Sequence, residues 1–324
     1  MNIQNVSGLM NIFINQTENR GRAGWRLLVQ FILMFLLVGF GIQGIQLLVN
    51  AQSLVYLAIP QFIGIIASVW IAARFLDKRP FADFGCQFNQ QWLKDFAIGA
   101  AIAAIAQITI FCIEWSAGWL TISSYGWNAS TEHSFGSIMI SSLLAMLMVG
   151  FHEELLSRGY QVLNITEGLR YPQIGARLAI IIAVLVTSSL FGIMHIFNAN
   201  ASAISTVNIT VAGIALAIPY VLTGSLGISV GLHFSWNFVM AAVLGFPVSG
   251  INFETSVVRI QQGGPELWTG SAFGPEAGIL GLIGMAIMVG LSCVYIKAEG
   301  NELAINSLFT EPYRPARETD EQSP

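Results

Sequence analysis

The sequence predicts an all-α, polytopic membrane protein with eight transmembrane helices and both termini cytoplasmic. Three observations carry this. First, of 324 residues 54% are apolar and only 10% charged, against about 25% charged in soluble domains. Second, eight apolar stretches reach the roughly 20 residues that a bilayer-spanning helix needs, at approximately 26–48, 53–75, 95–117, 136–157, 177–197, 204–223, 226–246 and 276–297. Third, with the N-terminus placed inside, 13 of the 14 basic residues fall on the cytoplasmic side and Arg259 alone falls outside, as the positive-inside rule requires. The spans occupy most of the chain and leave no room for a separate soluble domain. The organisation is an N-terminal cytoplasmic or interfacial segment (1–23), one membrane unit (24–297) and a polar cytoplasmic tail (298–324).

The first run follows Arg20 and Arg22. It is too long for a signal-peptide core and lacks a small-residue cleavage site close behind it, so it reads as a retained helix. Met10, Ile12, Phe13 and Ile14 before it suit a membrane-surface segment. Arg74, Lys78, Arg79 and Lys94 mark the second connection as internal, and Arg158, Arg170 and Arg177 mark the fourth. The long outer loops, 118–135 and 247–275, carry glutamates, and His133 lies in the first of them. In the last run, Ala277 with Gly281 and Ala286 with Gly290 put small residues four apart, a pattern of close helix packing. Cys86, Cys112 and Cys293 show neither disulfide nor metal-cluster spacing. A net charge of −4 with scattered basic residues gives nucleic-acid binding no support. A compact chain without targeting extensions fits a bacterial inner membrane.

Ionisable groups within spans are costly and point to function by default. Few occur here: Glu114, the stretch "HEELLSR" (His152 to Arg158), His195, and His233 with Asn237. Residues four apart share a helix face, so Glu154 can pair with Arg158. Glu153 points about 100° away from Glu154, free to face a cavity. Equally, both glutamates could sit in water at a cytoplasmic helix end. His233 and Asn237 also lie four apart, placed either for interhelical glue or for chemistry. Phe191 lies one turn before His195 on the same face. A carboxylate, two imidazoles and an amide on three helices are what acyl hydrolysis needs. The carboxylate takes a proton from water, and imidazole and amide donors hold the oxyanion.

These residues carry a family pattern. "EELLSR" (Glu153–Arg158) fits E-E-x-x-x-R, "FGIMH" (Phe191–His195) fits F-x-x-x-H, and "HFSWN" (His233–Asn237) fits H-x-x-x-N. Their order in a chain of eight spans resembles the CPBP family of CAAX-protease and bacteriocin-processing (Rce1-like, Abi) intramembrane proteases, over about residues 136–246. The resemblance implies that Glu153 activates water with His195 assisting. It also implies that His233 and Asn237 form the oxyanion site, that Glu154 and Arg158 brace the helix, and that Phe191 packs beside the site. The implied activity is an intramembrane endopeptidase acting on a membrane-associated protein or peptide. The pattern gives His152 no place.

"HEELL" begins like a zinc-protease helix, but the second histidine position of H-E-x-x-H holds Leu156. A zinc site could still use His195, His233 and Glu153, since three protein ligands and a water are usual in catalytic zinc. The metal-free glutamate route is favoured. Two rival readings are a proton-coupled transporter and a non-catalytic immunity or binding protein on the same scaffold. Simple threading strains the site, because Glu153 falls in the inner half of its helix and His195 towards the outer side. Either helix five starts deeper or tilts, or residues 160–176, which include Pro172 as a helix start, form a short interfacial helix. The expectation is that the groups converge in a water-filled cavity.

Overall fold

The computed structural model describes residues 12–48, 54–128, 131 and 133–313. The expected surface segment before residue 12, Arg314, Arg317 and the end of the tail lie outside the described residues. The chain is mostly helical. Helices α1 (Ala23–Leu48) and α2 (Leu54–Ile71) pack as a pair, and α2 runs on through a π-helical turn, Ala72–Asp77. Helix α3 (Gln90–Ser116) starts where the Asn89 side chain accepts from the Trp92 amide, a cap that satisfies an orphan N–H. Helix α4 (Phe135–Glu154) passes through a π-helical stretch, Leu155–Val162, into α5 (Leu163–Leu169). Helix α6 (Gly175–Met194) ends in a 3₁₀ turn, His195–Phe197. A Ser202–Ser205 capping box opens α7 (Ala203–Thr223). Helix α8 (Gly227–Phe238) continues as a π turn, Val239–Val243. The short α9 (Glu266–Thr269), the long α10 (Ile279–Ala298) and the single-turn α11 (Ser307–Thr310) complete the helices.

Among the described residues, seven helices are long and apolar enough to cross a membrane. The eighth expected stretch, 226–246, forms the shorter apolar helix Gly227–Val243. At ~1.5 Å per residue it rises about 25 Å, less than the ~30 Å hydrocarbon layer. Burial explains its apolar sequence: residues 227–233 are all buried, among them Ile228, Val230 and Leu232. Helix α3 packs most extensively on it, with α4 and α7 on its other sides. Glycines allow the approach. A Cβ on Gly99 would lie 2.3 Å from the Ile228 carbonyl oxygen, and one on Gly231 would lie 2.1 Å from that of Phe96.

Two antiparallel ribbons depart from an all-helical chain. β1 (Ile14–Asn15) pairs with β2 (Arg20–Gly21), and β3 (Leu120–Tyr125) pairs with β4 (Val258–Gln262). The second ribbon joins the two long loops that the sequence places outside. Glu114 finds its reason here: it is buried, and its carboxylate accepts from Gln262 Nε2 at 2.8 Å. Burial also pushes the Cys86 thiol up to about 12, so it stays protonated and inert.

At the opposite end of α3, basic residues from distant connections meet in one buried network. Glu167 accepts from Arg20 and Arg26, each at 2.9 Å, and from Arg79. Asp77 lies 3.4 Å from Arg26 and accepts from the Tyr160 hydroxyl at 3.0 Å. The Tyr313 ring covers the Arg20 guanidinium at 3.7 Å. Arginines expected as loop charges are thus buried and paired; Arg20 and Arg26 are each 2% exposed.

Candidate active site

Helices α4, α6 and α8 each bring one motif to a common centre. On α4, Arg158 Nη1 donates to Glu154 Oε1 at 2.9 Å, the i,i+4 pair expected from spacing. Arg158 lies in the π-helical stretch, where the widened turn leaves room for a second bond, from Nη2 to the Gly213 carbonyl of α7 at 3.1 Å. Its guanidinium also sits 4.6 Å from the Phe191 ring centroid. Such π segments recur at functional sites.

Glu154 does more than brace its own helix. Its Oε1 lies 2.7 Å from His233 Nδ1. A carboxylate can only accept, so Nδ1 carries a proton and Nε2 points the other way. There it meets Glu153, whose Oε2 is 3.6 Å from Nε2. That is too long for a hydrogen bond but close enough for charge coupling. One imidazole therefore stands between two carboxylates of unequal setting. The Glu154 side chain is fully buried, while the Glu153 side chain is 28% exposed. Gly150 makes this approach of α4 to α8 feasible, since a Cβ there would lie 2.8 Å from the Phe234 backbone nitrogen.

His195 closes the end of α6. Its Nδ1 lies 2.8 Å from the Phe191 carbonyl oxygen, which fixes the ring and turns Nε2 outward. The Phe191 ring is 4.8 Å from the His195 ring and meets the His233 ring edge-on at 5.9 Å. Phe191 thus links the two imidazoles. No hydrogen bond or ion pair joins Glu153 directly to His195 among the described residues. Asn237 is buried on α8, one turn beyond His233. His152 is buried beside Glu153 on another face of α4.

The strain foreseen for simple threading disappears because Phe135–Leu169 is one apolar helical run of 35 residues. No separate interfacial helix occupies 160–176, and α6 begins at Gly175 rather than Pro172. Glu153 lies about 24 Å of helix rise before Leu169, and His195 about 30 Å beyond Gly175, at ~1.5 Å per residue. The two antiparallel elements therefore carry their groups to similar depth. A hollow of about 310 Å³ lies elsewhere, lined by Trp92, Asp95, Ser225 and Tyr295 among others, and none of the candidate residues lines it.

Among the described residues no three His, Cys, Asp or Glu side chains group so as to hold an ion. The bond from His233 Nδ1 to Glu154 leaves Nε2 free, as in imidazoles that bind a metal through Nε2.

The fold and its centre define an integral, multi-pass membrane protein with charged groups assembled inside its helices. Residues 135–239 match the family model for Type II CAAX prenyl endopeptidase, Rce1-like. The matched segment begins with α4 and ends just past α8. It agrees with the CPBP resemblance of the three motifs and supports an intramembrane endopeptidase of the CAAX-protease kind. No curated protein and no solved structure matches the chain.

Sequence reasoning missed the Glu154–His233 bond, because the partners are 79 residues apart on different helices. It also passed over Glu276, which it placed at the edge of an outer loop. That residue is 4% exposed and accepts from Trp236 Nε1 at 3.0 Å. The tryptophan inside "HFSWN", whose indole N–H needs a buried acceptor, was the available signal.

Proposed function

We propose that the chain is an intramembrane endopeptidase that hydrolyses a peptide bond in a membrane-associated protein or peptide, with Glu153 as the base. The observation that supports this best is the inequality of the two glutamates. Arg158 and His233 both engage Glu154, which leaves Glu153 as the partly open carboxylate beside an oriented imidazole. Glu153 takes a proton from water as the oxygen attacks the scissile carbonyl. The oxyanion forms near His233 and Asn237, and Glu153 returns the proton to the departing amine. With Nδ1–H held by Glu154, His233 Nε2 can donate to the oxyanion only when the ring carries both protons. The Asn237 amide donates in either case. His195, its Nδ1 held by Phe191, presents Nε2 to the attacking water. The end that gathers Arg20, Arg26 and Arg79 is the cytoplasmic one, and the host membrane is a bacterial inner membrane.

The test compares membrane proteomes of wild type and Glu153→Ala. Uncleaved precursors should accumulate in the variant, and identical proteomes would sink the protease reading. A strong chelator added to purified protein should leave turnover intact. Loss of turnover with chelator, restored by zinc, would move the mechanism to the metal route. Glu153-dependent solute flux in proteoliposomes would favour the transporter instead.

A further inference from the structure

A buried carboxylate outside the family-matched segment ties the two histidine-bearing elements together. Glu276 lies between α9 and α10, beyond residue 239 where the match ends. Three neutral donors converge on it. Trp236 Nε1 reaches Oε1 at 3.0 Å, and the Ser249 amide and hydroxyl reach Oε2 at 2.6 and 2.9 Å. Only an acceptor without hydrogens satisfies all three, and bonds to an ionised acceptor are the stronger kind. Each arm leads to the site. Trp236 stands on α8 between His233 and Asn237. The Ser249 carbonyl accepts from Asn198 Nδ2 at 3.0 Å, and the Asn198 amide donates to the His195 carbonyl at 3.1 Å.

The loop between these arms is held in an uncommon shape. Ser249 has φ +46° and Gly250 φ +80°. Non-glycine residues adopt positive φ only where their surroundings enforce it. Gly250 passes so close to the His195 turn that a Cβ would lie 1.8 Å from the Ala199 carbonyl oxygen. Two bonds that the Glu276 carboxylate accepts from Ser249 help seat this turn on residues 198–199. We propose that Glu276 is a positioning residue: through Trp236 on one side and Ser249–Asn198 on the other, it sets the relation of His233 and Asn237 to His195. This rests on the endopeptidase reading for its catalytic consequence, but not for its geometry.

The experiment uses the full chain in lipid nanodiscs, with ¹³C-labelled histidines assigned by single substitutions. Turnover is read on a farnesylated CAAX peptide reporter. Glu276→Gln places an N–H₂ against the donors. It should move the His195 and His233 signals while leaving His133, and lower kcat about 10- to 100-fold with KM nearly unchanged, as expected when reacting groups shift by a fraction of an ångström to an ångström. Glu276→Asp should restore part of kcat. Glu114→Gln, a second buried carboxylate at this end, should move neither histidine of the site. Unmoved His195 and His233 signals in Glu276→Gln overturn the proposal. So does a general shift that includes His133, or a loss of kcat that follows only the loss of folded protein. Should wild type not cleave the reporter while Glu276→Gln still moves His195 and His233, a farnesylated CAAX substrate is excluded and the positioning stands.

Discussion

Two charge clusters in this molecule differ in how completely their carboxylates are paired. In the cluster at the basic end, both buried carboxylates are held by charged or hydroxyl partners, although Asp77 Oδ1 accepts no hydrogen bond. Glu167 faces three arginines and Asp77 faces Arg26 and Tyr160. In the centre between α4, α6 and α8, one carboxylate takes two partners on a single oxygen, Oε1, while its Oε2 takes none, and its neighbour stays more open. Glu154 holds Arg158 and His233, while Glu153 remains partly open. A buried ion pair costs desolvation that its attraction only partly returns, so a buried cluster of paired charges fixes geometry more than it adds stability. On the endopeptidase reading, reactivity is left to the carboxylate that the network leaves more open.

Substitutions can break this contrast, and the effects should fall in a definite order. Glu153→Gln should lower turnover on the peptide reporter about 1,000-fold, within the range for loss of a general base, with Tm unchanged. An equal loss of Tm would make Glu153 one more structural charge. Next, Glu154→Gln weakens the support of both Arg158 and His233. It should lower kcat about 100-fold and also destabilise the protein by about 3 kcal/mol, as removal of one buried partner does; kcat and detergent unfolding measured together would show whether the two losses travel as one. In the other cluster, Glu167→Gln should cost a similar ~3 kcal/mol while kcat of the folded fraction stays within about twofold of wild type. A large kcat effect there would mean that the two clusters are coupled. The smallest effect belongs to Lys94→Ala. Its 2.6 Å bond to Glu299 is half exposed on the lysine side, so unfolding free energy should change by less than about 1 kcal/mol.

The sequence told most about what is local. The i,i+4 pairing of Glu154 with Arg158 and the placement of Phe191 beside His195 follow from helix geometry, and the structure has both. The spans were legible as apolar runs, but run length does not distinguish a helix facing lipid from one buried in protein. Gly227–Val243 is therefore short where a full span was expected. The fourth run was ended near residue 157, with Arg158 counted into the connection that follows; Asn164, Thr166 and Glu167 lie in that connection. Arg158, Asn164 and Thr166 are buried, and Arg158, Asn164 and Glu167 find partners in α7, Tyr160 and the basic cluster, so the helix continues to Leu169. Long-range pairs such as Glu154 with His233 or Trp236 with Glu276 left no periodic trace, since nothing in spacing reports which helices become neighbours.

The closeness of Glu154 and Arg158 in the chain also bears on biosynthesis. An ion pair four residues apart needs no other helix to form. As soon as Phe135–Leu169 coils, the two charges can neutralise each other, well before His233, 79 residues downstream, has left the ribosome. The segment can thus enter the bilayer carrying a dipole in place of two separate ions, which lowers the insertion penalty that each charge alone would impose. The imidazole of α8 then docks onto a carboxylate already anchored by its own helix. The order of synthesis and the order of assembly coincide.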